Sequence, residues 1–191
     1  MSLLLWNCRG LGKPLTENEL VRLIQEKDLS VAFIAETWTD EIRLDRTLSK
    51  INFDQKWVVL RLNRGGGLAL FWKSSINIEV VDSHRYYIDT IINGNTEDAW
   101  RFTGFYGKPE THRRSEAWNK LRSLNARMNI PWICGGDFNE IVRHEEKWVG
   151  HLEIIIKCNY SEMWSKNVVS WIWDMWGQSS LGQNIMLMGT P

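Results

Sequence analysis

Apolar runs that stop at short polar clusters mark out most of the chain. Leu3 to Trp6 is closed by Asn7-Cys8-Arg9-Gly10, the pattern of a buried strand entering a loop. Thr16 followed by Glu19 forms a capping-box pattern, and Leu20, Leu23 and Ile24 recur at helical spacing; together they predict a helix over residues 17–27. Val31 to Ala35 predicts a second buried strand ending in Glu36-Thr37, and Ile42 to Ile51 reads as a short helix or an ordered loop. Strand-like segments follow at Trp57–Leu62, Leu68–Trp72, Ile76–Val81, Tyr87–Ile92 and Trp100–Tyr106. Thr111 to Met128 has a helical composition with Trp118, Leu121 and Leu124 on one side. A last buried strand, Trp132 to Cys134, runs into Gly135-Gly136-Asp137-Phe138-Asn139. The rhythm of the middle segments predicts a sheet-rich sandwich rather than alternating βαβ units. Helices early and late around a run of strands predict two packed sheets flanked by helices, an α/β class.

Composition narrows the function classes. The chain has 191 residues, enough for one domain with a real core, and 43% hydrophobic with 24% charged residues is ordinary for a globular protein. Formal net charge is zero, so contact with nucleic acid has to be local rather than driven by a global basic field. Cys8, Cys134 and Cys158 are scattered, which argues against a disulfide framework or a zinc knuckle and fits a reducing compartment. No apolar stretch is long enough to span a bilayer, and the apolar start is too short for a signal peptide. A location in the nucleus or cytoplasm, without secretion or a membrane partner, is the expectation.

Chemistry concentrates where strands end. Asn7, Glu36 and the Asp137/Asn139 pair each follow an apolar run, and Tyr106 stands between a strand-like segment and the loop Gly107-Lys108-Pro109-Glu110. A strand that stops at a carboxylate or amide places that group rigidly at a sheet edge. Each residue also has an ordinary explanation. Asn7 suits an Asx turn, Glu36 a solvated strand end, Asp137 to Asn139 a glycine-led turn, and Tyr106 half-buried packing. His112, Arg113 and Arg114 form a basic cluster just beyond Tyr106, suited to DNA phosphates or simply to a solvated first turn of a helix.

The order WNCRGL, AET, GFYG, GGDFNE, each directly after a strand, resembles the endonuclease/exonuclease/phosphatase superfamily. With RGGGLALFWK, WRFTGFYGKPETHRR and PWICGGDFNEI added, the chain is similar to endonuclease domains of plant LINE (non-LTR) retrotransposons over about residues 2–147. The resemblance implies a four-layer α/β sandwich of two mainly antiparallel sheets, incomplete at the C-terminus. It implies DNA as partner, Mg²⁺ (or Mn²⁺) as cofactor, and a reverse transcriptase domain in the intact parent polyprotein. It assigns Glu36 as the metal carboxylate with Asn7 beside it, and Asp137 as the group that orients or deprotonates water. Asn139 would hold Asp137 or a phosphate oxygen, and Tyr106 would donate to the phosphate. Apurinic endonucleases carry an Asp where this chain has Arg9, which argues against abasic-site repair. Phosphoesterases of the same superfamily that act on inositol phosphates or lipid headgroups are the alternative substrate class, and a non-catalytic remnant is the other alternative.

The pattern breaks after Lys147. The Ser-Asp-His motif that ends the family's active site is not found, and His84, His112, His144 and His151 do not fit it, so the catalytic His is absent. Five of the 12 Trp and four of the six Met fall in residues 148–191. Both residue types have a single codon ending in G. A frame shifted by one base reads Trp171-Ile172 as Asp, Trp173-Asp174 as Gly, Met175-Trp176 as Val and Trp176-Gly177 as Gly, residues that suit the normal LINE continuation. The expectation is an N-terminal part of the domain over residues 1–147, then a non-homologous, frameshifted and poorly ordered tail over 148–191. Apolar residues not selected for this core would lower stability.

Overall fold

The structure, a computed structural model, describes residues 1–61, 66–108, 110–139, 153–157 and 183–188. Its first half runs β1 (Ser2–Asn7), α1 (Pro14–Glu26), β2 (Val31–Ala35), α2 (Glu41–Lys50), β3 (Gln55–Val59), β4 (Leu68–Trp72) and β5 (Ile78–His84). Then come β6 (Tyr87–Ile92), β7 (Trp100–Tyr106), a 3-10 turn (Thr111–Arg113), α3 (Arg114–Asn125), β8 (Trp132–Asp137), β9 (Glu153–Lys157) and β10 (Gln183–Met188). Apart from β9 and β10, the expected tail over residues 148–191 lies outside the described residues.

The strands form two five-stranded sheets, ordered β3-β4-β2-β1-β9 and β10-β8-β7-β6-β5. Most neighbours are antiparallel, as the family resemblance implies. Two pairs are parallel, β1 with β2 and β7 with β8. Parallel neighbours need a crossover, and α1 and α3 supply it. The fold therefore contains two βαβ units that the strand spacing did not announce.

Alternation explains why β1 and β2 read as unbroken apolar runs. Leu3, Leu5, Val31, Phe33 and Ala35 face the opposite sheet and meet Ile88, Trp100, Phe102 and Ile133. Leu4, Trp6, Ala32 and Ile34 face outward and are covered by Leu20 and Ile24 of α1 and Leu44 of α2. On the far side, Leu121 and Leu124 of α3 cover Tyr87, Phe105, Trp132 and Cys134. The result is helices, sheet, sheet, helix: a four-layer α/β sandwich in which central strands are buried on both faces.

The capping-box expectation fails. The helix begins at Pro14, with Lys13 in the N-cap position and no side-chain cap. Proline's fixed φ and missing N–H suit the first helical turn, so Thr16 lies inside the helix and Glu19 pairs with Arg22 instead. The segment after Glu36 resolves as a helix, capped by the Asp40 carboxylate accepting from the Arg43 N–H at 2.9 Å.

Glu17 ties α1 to α2. Its carboxylate accepts from Thr47 Oγ1 at 2.9 Å and pairs with Lys50 at 3.0 Å, although Glu17 is only 7% exposed. Burial alone would raise its pKa, but the bonds from Lys50 and Thr47 outweigh this and the net shift is downward. A carboxylate with a depressed folded pKa stabilises above its unfolded pKa and loses that contribution as pH falls through the folded value. Glu17→Gln is therefore expected to lose about 1–2 kcal/mol at pH 7. In urea melts the gap to wild type should narrow on acidification below the ordinary carboxylate range. A gap that stays constant down to strongly acid pH would remove the ionic explanation.

Candidate active site

The two parallel pairs deliver their C-terminal ends to one edge of the sandwich. In register, Asn7 is the partner of Ala35, the residue before Glu36, and Tyr106 is the partner of Asp137. Facing sheets thus bring residues far apart in sequence to one place. The Asn7 amide nitrogen donates to Glu36 Oε1 at 2.9 Å and to Asp137 Oδ2 at 2.7 Å. The Tyr106 hydroxyl donates to the same Glu36 Oε1 at 2.8 Å. The Asn139 N–H donates to Asp137 Oδ1 at 2.8 Å. All five strand-end residues singled out in the sequence meet here.

Local backbone accounts for the aim of each group. Glu36 has a left-handed backbone, φ 55°, which costs a non-glycine residue about 1–3 kcal/mol unless its surroundings hold it. They do: Gly10 N–H donates to Glu36 O at 2.8 Å, Leu11 N–H to Thr37 O at 2.9 Å, and Thr37 N–H to Gly67 O at 3.2 Å. On the other sheet, β7 and β8 approach so closely that side chains are excluded. A Cβ on Gly107 would lie 2.0 Å from Phe138 O, and one on Gly136, whose φ is 144°, would lie 2.0 Å from Phe105 O. Asn139, at φ 53°, locks this crossing by donating its side-chain amide to Gly107 O at 2.7 Å. Its backbone, not its side chain, is what holds Asp137.

Burial pushes the Asp137 carboxyl above the usual aspartate range, and the nearby Glu36 charge adds to this, against the bonds from Asn7 and the Asn139 N–H and the charge of Arg9. Burial and the two carboxylates also push the Tyr106 phenol above its ordinary value, so at neutral pH it is a hydrogen-bond donor. Burial raises the Cys8 thiol to about 12. It stays protonated at neutral pH and donates to Glu36 O at 3.5 Å.

The residues suit a hard divalent cation. Glu36 Oε1 already receives two donors, whereas no donor among the described residues reaches Oε2. No three His, Cys, Asp or Glu side chains converge among the described residues. Mg²⁺ needs only one or two carboxylates and keeps several waters, so Glu36 with the Asn7 amide beside it is an adequate donor set.

The basic cluster sits apart from this hydrogen-bonded group. His112 is exposed on the 3-10 turn, Arg113 is turned onto Glu116 at 3.2 Å, and Arg114 opens α3. His84 ends β5 and stacks on Tyr87, 5.9 Å between centroids. Neither His84 nor His112 is hydrogen-bonded to the five residues; His144 and His151 lie outside the described residues. Lys108 also stands close to the site, unmarked by any motif. It is 5% exposed, pairs with Glu116 and lies over the Tyr86 ring. Its place two residues after Tyr106 was the one available signal.

Stacked sheets, outer helices and a carboxylate-amide-phenol cluster at one edge define an α/β sandwich with a polar site where its parallel strands end. Residues 4–151 match the model of the endonuclease/exonuclease/phosphatase family, and the chain belongs to that family, whose members are hydrolases acting on phosphodiester bonds. No curated protein matches the chain. Among solved structures, TDP2 from C. elegans is similar at 14% identity and TM-score 0.50, with 73% of this chain and 48% of that one covered. The 3′ phosphatase NExo from Neisseria, bound to product DNA hairpin, gives 14% identity and TM-score 0.55, covering 80% and 65%. The endonuclease domain of TRAS1, a telomere-specific non-LTR retrotransposon, gives 16% identity and TM-score 0.52, covering 72% and 58%. At these identities the likeness is one of fold. The chain spans 48% and 65% of the length of the first two. No helix among the described residues is long and apolar enough to cross a membrane.

Proposed function

We propose that the chain carries the phosphate-handling site of a metal-assisted DNA-nicking endonuclease of the plant LINE type, and that this copy turns over little or no substrate. One observation carries the reading: the Asn7 amide bridging Glu36 and Asp137, with the Tyr106 hydroxyl on Glu36. Mg²⁺ or Mn²⁺, when held by Glu36 beside Asn7, offsets negative charge on a phosphodiester. Asp137, with its proton affinity raised by burial, holds or accepts a proton of the attacking water. Asn7 keeps the two carboxylates apart and oriented by using both of its amide hydrogens. The Tyr106 phenol, firmly protonated, is a donor for a phosphate oxygen as charge builds there. Asn139 positions Asp137 through its backbone N–H and fixes the Gly107 turn through its amide.

DNA as substrate is supported by the LINE-like segments of the sequence and by the fold shared with the TRAS1 endonuclease domain. In that setting a nick supplies the 3′ end for reverse transcription by a domain of the parent polyprotein. Low turnover is supported by the break in the family pattern after Lys147, where Trp and Met accumulate. A lost base near Lys147 accounts for both the missing motif and the Trp- and Met-rich tail. Coding DNA that one inserted base does not restore to a LINE-like frame would sink this explanation.

Two measurements test the function. Calorimetric titration with Mg²⁺ should detect binding by the wild type and at least tenfold weaker binding by Glu36→Gln; no uptake by the wild type removes the metal reading. Plasmid nicking in Mg²⁺ should leave wild type level with Asp137→Ala. Nicking by wild type alone refutes the inactivity. Release of phosphate from inositol phosphates or lipid headgroups, without nicking, favours the alternative substrate class.

A further inference from the structure

The β5–β6 hairpin turns at Arg85-Tyr86 next to the end of β7, where the Tyr106 N–H donates to Tyr86 O at 2.7 Å. A register shift between Val80 and Asp82 bulges β5, and such bulges re-aim a strand end. The Asp82 carboxylate then ties the hairpin down, accepting from the Tyr87 hydroxyl at 2.8 Å and from Arg127 at 2.6 Å. The hairpin tip is thus held directly beside the strand end that carries the phenol of the site.

Cations gather on this tip. The Arg85 guanidinium lies 4.7 Å from the Tyr86 ring centroid, Lys108 Nζ 5.2 Å from the same ring, and Lys120 Nζ 5.0 Å from the Tyr87 ring. The charges do not balance. Arg85, Lys108, Arg113, Lys120 and Arg127 stand against Asp82, Glu110 and Glu116. Glu116 is shared between Lys108 and Arg113, and Asp82 is taken by Tyr87 and Arg127. Arg85 is exposed and has no carboxylate partner among the described residues. Burial, Arg113 and Arg85 lower the proton affinity of Lys108 against the opposing charge of Glu110, and Lys108 already pairs with Glu116, so an anion at the tip would chiefly meet the charge of Arg85. Cation–π contacts at an exposed tip are too weak by themselves to justify gathering like charges here.

We propose that Arg85, Tyr86 and Lys108 form a second anion subsite, which takes a backbone phosphate of duplex DNA neighbouring the scissile one. It rests on the DNA-nicking reading above. Arg85 makes the contact, Tyr86 holds the guanidinium, and Lys108 adds positive potential from its buried position. Such a contact positions the duplex without reading its sequence.

The test is the salt dependence of binding a fluorescein-labelled duplex to the full chain by anisotropy. One lost phosphate contact flattens the log–log salt slope by roughly 1, and the affinity loss should be about equal for unrelated sequences. Arg85→Ala is expected to show that flattening with a several-fold weaker Kd, and Arg85→Glu a larger loss. Lys108→Met should weaken binding too. Because Arg85 is exposed, its variants fold, and their salt slopes decide the matter. Lys27→Ala, at the exposed end of α1 and remote from the hairpin, should leave the slope unchanged. Wild-type binding with an Arg85→Ala slope equal to wild type overturns the subsite and leaves the DNA reading standing. Failure of the wild type to bind duplex at low salt overturns the DNA reading and the subsite with it.

Discussion

Asp89→Ala is expected to cost about 3–5 kcal/mol, the penalty for leaving a buried charge without its partner. Asp89 and Arg101 are 0% and 1% exposed. Arg101 Nε and Nη2 donate to the two Asp89 oxygens at 2.8 and 2.6 Å, a bidentate pair. The Thr103 hydroxyl donates to Asp89 Oδ1 at 2.6 Å, and Trp132 Nε1 donates to Thr103 Oγ1 at 2.8 Å. Arg101 Nη1 reaches Leu124 O at 2.6 Å and so fastens the end of α3 to β7. Removing Asp89 strands a guanidinium and a hydroxyl in a dry layer. Removing both charges is different: Asp89→Leu with Arg101→Met should lose far less than the sum of the single changes, because no uncompensated ion remains. Urea denaturation of the two single variants and the double variant measures this. A loss for Asp89→Ala below about 1 kcal/mol would show that water reaches the pair.

Gly107→Ala is the second large effect, and it should strike stability and site together. The added Cβ would meet Phe138 O at 2.0 Å and Phe138 C at 2.4 Å. Both are backbone atoms, so no side-chain rotation relieves the clash. The neighbouring bonds are tight as well: Gly107 N–H to Asp137 O at 2.6 Å and Asn139 Nδ2 to Gly107 O at 2.7 Å. The strands must part, at about 1–3 kcal/mol or more, and Asp137 and Asn139 move with them. Thermal melts should show the destabilisation, and Mg²⁺ titration should show weaker uptake. Gly12→Ala is the control, since its nearest neighbour would be an ordinary 3.8 Å away; it should change stability by less than about 0.5 kcal/mol. Equal behaviour of the two variants would mean that the Gly107 crossing is looser than these distances require.

Much of the fold was legible because burial writes itself into residue order. β2, β4, β6 and β7 occupy the expected residues, since runs such as Val31–Ala35 and Leu68–Trp72 are covered on both faces and admit no polar interruption. Strand ends were less legible. β5 was expected at Ile76–Val81 and runs Ile78–His84. Its residues are mostly half-exposed, and it bends at a bulge, so apolar content marks it poorly. At the start of α1, Thr16 and Glu19 match a cap pattern, but Pro14 sets the first turn.

The five candidate residues were legible one at a time, as polar stops after apolar strands. The sequence alone determined their identity, their order and the layered class of the fold, because those follow from local pattern and the family resemblance of the motifs. Only the tertiary structure decided that they meet. Asn7 and Asp137 are 130 positions apart and come within 2.7 Å because two parallel strand pairs, in facing sheets, end at the same edge. Strand direction and sheet-on-sheet register are long-range choices that no local spacing encodes. The same holds for the basic hairpin tip, which a bulge in β5 and a carboxylate on Asp82 set beside Tyr106.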